Sequence, residues 1–375
     1  MSKKINAAVI EKLNGDFDIK EVYVDDEPKA NEVLVNIVAT GICHTDEAVR
    51  NGQSGVTEFP RIAGHEGAGI VEKVGAGVTN IKPGDHVILS YAFDGTCEQC
   101  LKGHPSSCLN WGELNVGGKR PDGAPTFTAE DGSVIDNFFN QSSFASTTLV
   151  QQNNVIVIDK NVDLRKVGPL GCGLVTGSGT VFNGLNPQQG STIVIVGSGA
   201  VGAGAIMAAK IKGCSKIISV DIHDQRLETS KKIGATDTIN SKDLNWVEEV
   251  KKLTYGYGVD FAIDTTGISK IMKECLDVLK SGGHFAPIAV TDKSLEFLPW
   301  NELVASQKHV DGVLMGDAVP QLLIPQLIEF WQKGQFPFDI LEKVYDFSEI
   351  NEANKASNNG SVIKPVLIVD KTYQA

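Results

Sequence analysis

With 375 residues, 42% of them hydrophobic and 21% charged, the chain has the length of two ordinary domains and the composition of a globular protein. Its net charge of −12 argues against a nucleic-acid partner, which needs clustered Lys and Arg, and no run approaches the ~18 apolar residues of a membrane helix. Seven cysteines, without an apolar signal-peptide core in the opening residues, predict a cytoplasmic protein whose thiols stay reduced and serve metal or catalysis.

The first third predicts short strands. Residues 31–40, NEVLVNIVAT, alternate apolar and polar side chains as a half-buried strand does. Residues 68–90 continue with strands separated by Gly-Ala-Gly and Pro-Gly-Asp turns, the texture of a barrel-like β domain. After about residue 170 the texture changes. Residues 191–213 predict strand, Gly-rich turn and Ala-rich helix. Strands at 216–224, 259–267 and 282–290 follow, with helices at 225–234 and 269–280 between them. Alternating β and α at this spacing predicts a parallel, doubly wound sheet. Near residue 316 the pattern changes again, with a helix at 324–335 and a closing strand at 361–370.

Gly197, Gly199 and Gly202 form a GxGxxG between a buried strand and a helix, and Asp221 closes the next strand. In that setting the glycines let a pyrophosphate approach backbone N–H groups at the helix N-terminus. Asp221 offers its carboxylate to the ribose hydroxyls, and its charge repels a 2′-phosphate, so NAD is favoured over NADP.

Two sets of metal-ligating residues stand out. Cys97, Cys100 and Cys108 have zinc-type spacing but leave a tetrahedral site one ligand short. Asp94 and His104 are both available as the fourth. Cys43, His65 and Cys172 are dispersed in Gly-rich segments. Three protein ligands with a fourth position open is the arrangement of a catalytic zinc, although spacing alone does not bring these three together.

The motifs GICHTD, AGHEGAG, the cysteine segment, LGCGLVTG and VGSGAVG with its Asp221 resemble, over essentially the whole chain, the zinc-dependent medium-chain alcohol dehydrogenases. HVILSY, CLKGHPSSC, KGQFPFD at 333–339 and VIKPV at 362–366 are similar to the aryl-alcohol (benzyl-alcohol) members. The resemblance implies an α/β protein: a GroES-like β-rich catalytic domain over 1–173 and 316–375, and a Rossmann NAD-binding domain over 174–315, with the active site in the cleft between them. It implies reversible NAD-linked oxidation of a primary, aryl-type alcohol to its aldehyde. General aliphatic, polyol and glutathione-linked formaldehyde dehydrogenases of the same family are the alternatives. The glutathione reading wants a basic residue in 110–116, which holds none.

By the same resemblance two zinc ions are expected per subunit, a catalytic one on Cys43, His65 and Cys172 and a structural one on Asp94, Cys97, Cys100 and Cys108. Asp94 stands where the family has the first of four cysteines. Asp46 would orient His65, and Glu66 would sit behind the zinc as an alternate ligand. Thr45 would hydrogen-bond the substrate oxygen. Thr176 and Val201 would position the nicotinamide. His44, Arg226 and Lys364 fall where the family contacts the pyrophosphate or adenosine ribose. Tyr91, Phe138 and Phe139 fall along the substrate channel. Ala48 stands where some relatives carry a proton-passing histidine, so another route is needed. Relatives are dimers or tetramers, and the long segment from Cys108 to Phe144 favours a homodimer.

Overall fold

A computed structural model describes residues 2–53 and 55–375. Its contacts form two compact units, Met1–Cys172 with Val319–Pro325 and Glu342–Ala375, and Gly173–Ala318 with Gln326–Leu341. Among the described residues no helix is long and apolar enough to cross a membrane.

The first unit is β-rich. One sheet runs in the order Arg61–Ile62, Ser2–Ile10, Phe17–Asp25, Phe127–Thr128, Val134–Ile135. The other centres on Glu32–Gly41, a strand buried at every position but Asn36, and so more deeply than its alternation predicts. Val33, Val35 and Ile37 share one face of that strand and join Val71, Val87, Leu89 and Val150 in a core. Two pairings of the strand matter for function. Gly67–Val74 runs antiparallel to it with Gly67 opposite Thr40, which leaves Glu66 beside Gly41. Lys364–Ile368 runs antiparallel on the other side with Val366 opposite Gly41, which brings Lys364 past the strand end to Ile42. Residues far apart in sequence are thus delivered to one spot by register.

The second unit holds six parallel strands in the order Asp237–Asn240, Lys216–Asp221, Thr192–Val196, Val259–Asp264, Leu279–Pro287, His309–Val310. Counted along the chain this is third, second, first, fourth, fifth, sixth, the dinucleotide-binding order. The fifth strand begins at Leu279, inside the helix expected to reach 280, because Leu279 is taken as partner by Val259. Residues 326–341, expected with the catalytic domain, belong to this unit. The reason is packing: the Phe330 ring lies 6.1 Å from Phe182, so the helix Pro320–Gln332 starts in one unit and ends in the other.

Candidate active site and metal centres

Cys43 follows the central strand and N-caps the short helix His44–Arg50. Asp46 turns back on that cap. Its Oδ2 accepts the Cys43 N–H at 3.0 Å, and its Oδ1 accepts the Gly64 N–H at 2.9 Å and meets His65 Nδ1 at 2.9 Å. A carboxylate only accepts, so Nδ1 carries a proton and Nε2 is the nitrogen that can offer a lone pair once it gives up its own. That nitrogen is buried and has no hydrogen-bond partner among the described residues. Cys43 Sγ, Cys172 Sγ and a His65 ring nitrogen lie within 4.8 Å of one another.

The protonation of the three is linked. A hydrogen bond from the Cys172 thiol holds the Cys43 thiol well below its usual range against the cost of burial, with help from the His65 charge. The same hydrogen bond, and then burial, push Cys172 well above its usual range. Burial disfavours a charged His65, but the charges of Asp46 and Cys43 outweigh it and raise its pKa well above the ordinary value. Two thiols and an imidazole whose buried Nε2 has no hydrogen-bond partner are a donor set suited to zinc, and a dication would replace the protons that now bind the cluster together.

Behind the cluster Glu66 and Lys364 form a buried ion pair. Lys364 Nζ donates to the two Glu66 carboxylate oxygens at 2.8 and 3.0 Å and to Ile42 O at 3.0 Å. Burial raises the Glu66 pKa while Lys364 opposes the rise, and the Glu66 charge keeps Lys364 protonated despite burial. Gly41 has to be glycine here, since a Cβ would run into Glu66 Oε2. The cofactor contact expected for Lys364 would have to compete with this pair, which uses all three of its N–H donors.

Thr45 Oγ1 lies 3.7 Å from Cys43 Sγ, His44 is exposed, and Ala48 is buried. Two of the three expected pocket aromatics meet the cluster. The Phe138 ring stands edge-on to His65 at 5.5 Å, and Phe139 lies tilted against it at 4.8 Å. Tyr91 is fully buried with its ring 5.9 Å from Phe93.

Sequence reasoning missed the polar residues that hold this arrangement. Gln141 accepts from Gly67 N–H and donates to His65 O and Ser90 O. Asn154 donates to Ser90 O and Phe139 O, and Ser90 Oγ donates to Gly171 O beside Cys172. The polar run Asn140–Ser143 directly after two phenylalanines was the available signal, because such residues are buried only when they serve the backbone.

In the cysteine lobe the ligand atoms of Asp94, Cys97, Cys100 and Cys108 also lie within 4.8 Å of one another, and His104 is not a member of the group. Cys97 Sγ is 3.5 Å from Cys100 Sγ and 4.0 Å from Cys108 Sγ. These spacings bracket the edge of about 3.8 Å expected for a tetrahedron with metal–sulfur bonds of about 2.3 Å. Asp94 turns inward. Its Oδ1 accepts the N–H groups of Cys97 and Thr96, and its Oδ2 accepts from Asn110 Nδ2. The Cys97 N–H is the chief cause of a carboxyl held well below its usual range. The Leu109 N–H lowers Cys97, whereas burial pushes Cys100 up to about 12 and raises Cys108.

In the second unit Gly197 has a φ of 92°, and Gly202 lets its helix approach closely, since a Cβ there would strike Gly197 O. A Cβ on Gly199 would meet nothing within 4 Å. Open space above the N-terminus of the helix Ala200–Ile211 is what a pyrophosphate requires. Asp221 accepts from Ser198, Ile222 and His223 N–H, and Arg226 Nη1 lies 4.0 Å from it. Thr176 Oγ1 is 3.7 Å from Met315 Sδ, on a helix, Gly173–Gly179, whose Gly177 abuts the Val201 carbonyl.

Residues 29–160 match the family described as alcohol dehydrogenase GroES-like domain, and residues 200–333 the one described as zinc-binding dehydrogenase. A geraniol dehydrogenase of Castellaniella defragrans is 34% identical over 369 residues, 96% of this chain and 97% of its own. An S-(hydroxymethyl)glutathione dehydrogenase of Saccharomyces cerevisiae is 35% identical over 98% of this chain and 97% of its own. The crystal structure of benzyl alcohol dehydrogenase from Acinetobacter calcoaceticus matches with a TM-score of 0.93 at 40% identity, over 98% of this chain and 100% of that one.

Proposed function

This chain belongs to the zinc-dependent medium-chain alcohol dehydrogenase family, and from that premise we propose that it interconverts primary aryl alcohols of the benzyl type and their aldehydes, using NAD and two zinc ions per subunit. The observation that carries the substrate reading is the pair of aromatic rings, Phe138 and Phe139, set against His65 of the cysteine–histidine cluster. A flat substrate is best held by apolar walls, with one polar anchor fixing its hydroxyl end.

Cys43, His65 and Cys172 would hold the catalytic zinc, whose Lewis acidity toward the alcohol oxygen, with NAD as hydride acceptor, is the chemistry the bound groups supply. Asp46 keeps Nε2 of His65 free for that task. Thr45 receives the hydroxyl proton at Oγ1 as the first member of a relay, and exposed His44 beside it takes the part that Ala48 has no group to play. Asp221 selects NAD by offering a negative charge where NADP carries a phosphate.

A rate survey with NAD and NADP across benzyl alcohol, cinnamyl alcohol, geraniol, ethanol and S-(hydroxymethyl)glutathione tests the proposal. Benzyl alcohol should exceed ethanol in kcat/KM by roughly ten- to a hundredfold, the worth of burying a ring. A ratio near one removes the aryl assignment. Geraniol is the rival to include, because aromatic walls also accept an extended allylic chain and a geraniol dehydrogenase is among the relatives.

A further inference from the structure

Phe139 has a φ of 56°, and Asn140 and Ser142 follow at 47° and 51°. Left-handed backbone is uncommon for a bulky aromatic and persists only where the surroundings hold it. The helix Trp111–Val116 holds Phe139 at two points. The Asn115 carbonyl accepts the Phe139 N–H at 2.7 Å, and the Trp111 ring meets the Phe139 ring edge-on at 5.7 Å and 87°.

The same helix is fastened to the cysteine lobe. Trp111 N–H donates to Cys108 O at 3.0 Å, and its indole packs with Cys97 and Cys100 against Ala92, Cys108 and Leu114. Asn115 Oδ1 accepts from Ala92 N–H, and its Nδ2 donates to Ala92 O. Trp111 Nε1 is buried and makes no hydrogen bond among the described residues, so what the indole contributes inside the protein is its ring. A continuous line of contacts therefore runs from Cys108 through Trp111 and Phe139 to His65.

We propose that Trp111 is a positioning residue for substrate choice. By holding Phe139 edge-on it fixes the aromatic wall against His65, and so favours planar aromatic alcohols over small ones. The inference rests on the aryl-alcohol reading above, and it gives the cysteine lobe a part in specificity as well as in stability.

The test uses the full-length, zinc-loaded enzyme and four variants: Trp111→Leu, Trp111→Phe, Phe139→Leu and the Trp111→Leu/Phe139→Leu double. Values of kcat and KM are measured for benzyl alcohol and ethanol, with zinc per subunit by elemental analysis. Trp111→Leu should lower the benzyl-to-ethanol ratio of kcat/KM by roughly three- to tenfold, chiefly through KM for benzyl alcohol, with zinc content unchanged. Trp111→Phe should restore the ratio to within about twofold, because it keeps an aromatic edge. In the Phe139→Leu background, Trp111→Leu should change the ratio no further.

Equal loss for both alcohols, an unchanged ratio, or additive effects in the double variant would each overturn the inference. Trp111→Met replaces Trp111→Leu if the latter folds poorly or loses zinc. A wild-type ratio near one would remove the aryl reading instead, so the two failures are told apart.

Discussion

Asp46 Oδ1 meets His65 Nδ1 at 2.9 Å, and the opposite nitrogen of that ring is buried without a partner. The carboxylate takes the N–H groups of Cys43 and Gly64 as well, so one side chain orients the histidine, the cysteine beside it and the turn between them. Both residues are fully buried, which makes the arrangement costly unless every donor is met. The second nitrogen, bare in such a place and grouped with the Cys43 and Cys172 thiols, could hold a metal ion.

Asp46→Asn tests this directly. An amide has one accepting oxygen, so one of the three donors would face an NH2 group. Zinc affinity or kcat/KM should fall by roughly ten- to a hundredfold, as for other groups that orient a metal-bound histidine. Zinc loss to a chelator and steady-state rates measure it, and wild-type values in both would show that Asp46 does not orient the ligand.

Asp94 is the departure from the four-cysteine lobe. Asp94→Ala removes a carboxylate that accepts from Cys97, Thr96 and Asn110. The expected result is one zinc per subunit in place of two, a lower melting temperature, and catalytic metal retained. Asp94→Cys should keep both ions, because a thiolate is an accepted ligand at the same charge. Two zinc ions in Asp94→Ala would assign the carboxylate to the turn alone.

Asp221→Ser removes the charge proposed to face the ribose and frees Arg226, which now lies 4.0 Å from it. KM for NAD should rise and the preference over NADP should shrink by roughly tenfold or more, the worth of hydrogen bonds to a charged acceptor. Because Asp221 also accepts from Ser198 and His223 N–H, some loss of stability should accompany the change. A wild-type enzyme that prefers NADP would refute this reading of the residue.

What the sequence made legible was chemistry carried by short segments. Gly197, Gly199, Gly202 and the strand ending in Asp221 are read from a few neighbouring residues, because the physics of that turn is local. The three lobe cysteines are read the same way. Cys43, His65 and Cys172 were legible as ligand types, but their meeting depends on strand pairing and loop closure. The Glu66–Lys364 pair joins residues 298 positions apart in sequence and follows from two strand registers, which no local pattern encodes. Nothing in the sequence singles out Trp111, because its partner Phe139 owes its position to left-handed backbone. Tyr91 was expected with Phe138 and Phe139, and the ring contact seen for it is with Phe93 at 5.9 Å. Aromatic character alone does not tell a pocket wall from core.

The last prediction concerns that buried pair. Lys364→Met leaves the Glu66 carboxylate without its cation, and breaking a buried pair from one side costs about 3–5 kcal/mol. Burial already raises the Glu66 pKa above its ordinary 4.5, with Lys364 opposing the rise; without Lys364 it climbs further. A carboxyl raised in the folded state favours folding most when protonated. The deficit of the variant should therefore be small below the unfolded value and grow as pH rises through the folded one. Melting temperatures measured from about pH 5 to about pH 8 should diverge from wild type in that direction. Lys364 also favours the thiolate forms of Cys43 and Cys172, so the variant should lose catalytic zinc more readily to a chelator. The double variant Glu66→Gln/Lys364→Met removes both charges and should recover much of the stability, as replaced ion pairs often do. It should not recover zinc retention, since the charge favouring the thiolates is still missing. Equal melting temperatures for the single and double variants at about pH 8 would show that the pair contributes through packing alone.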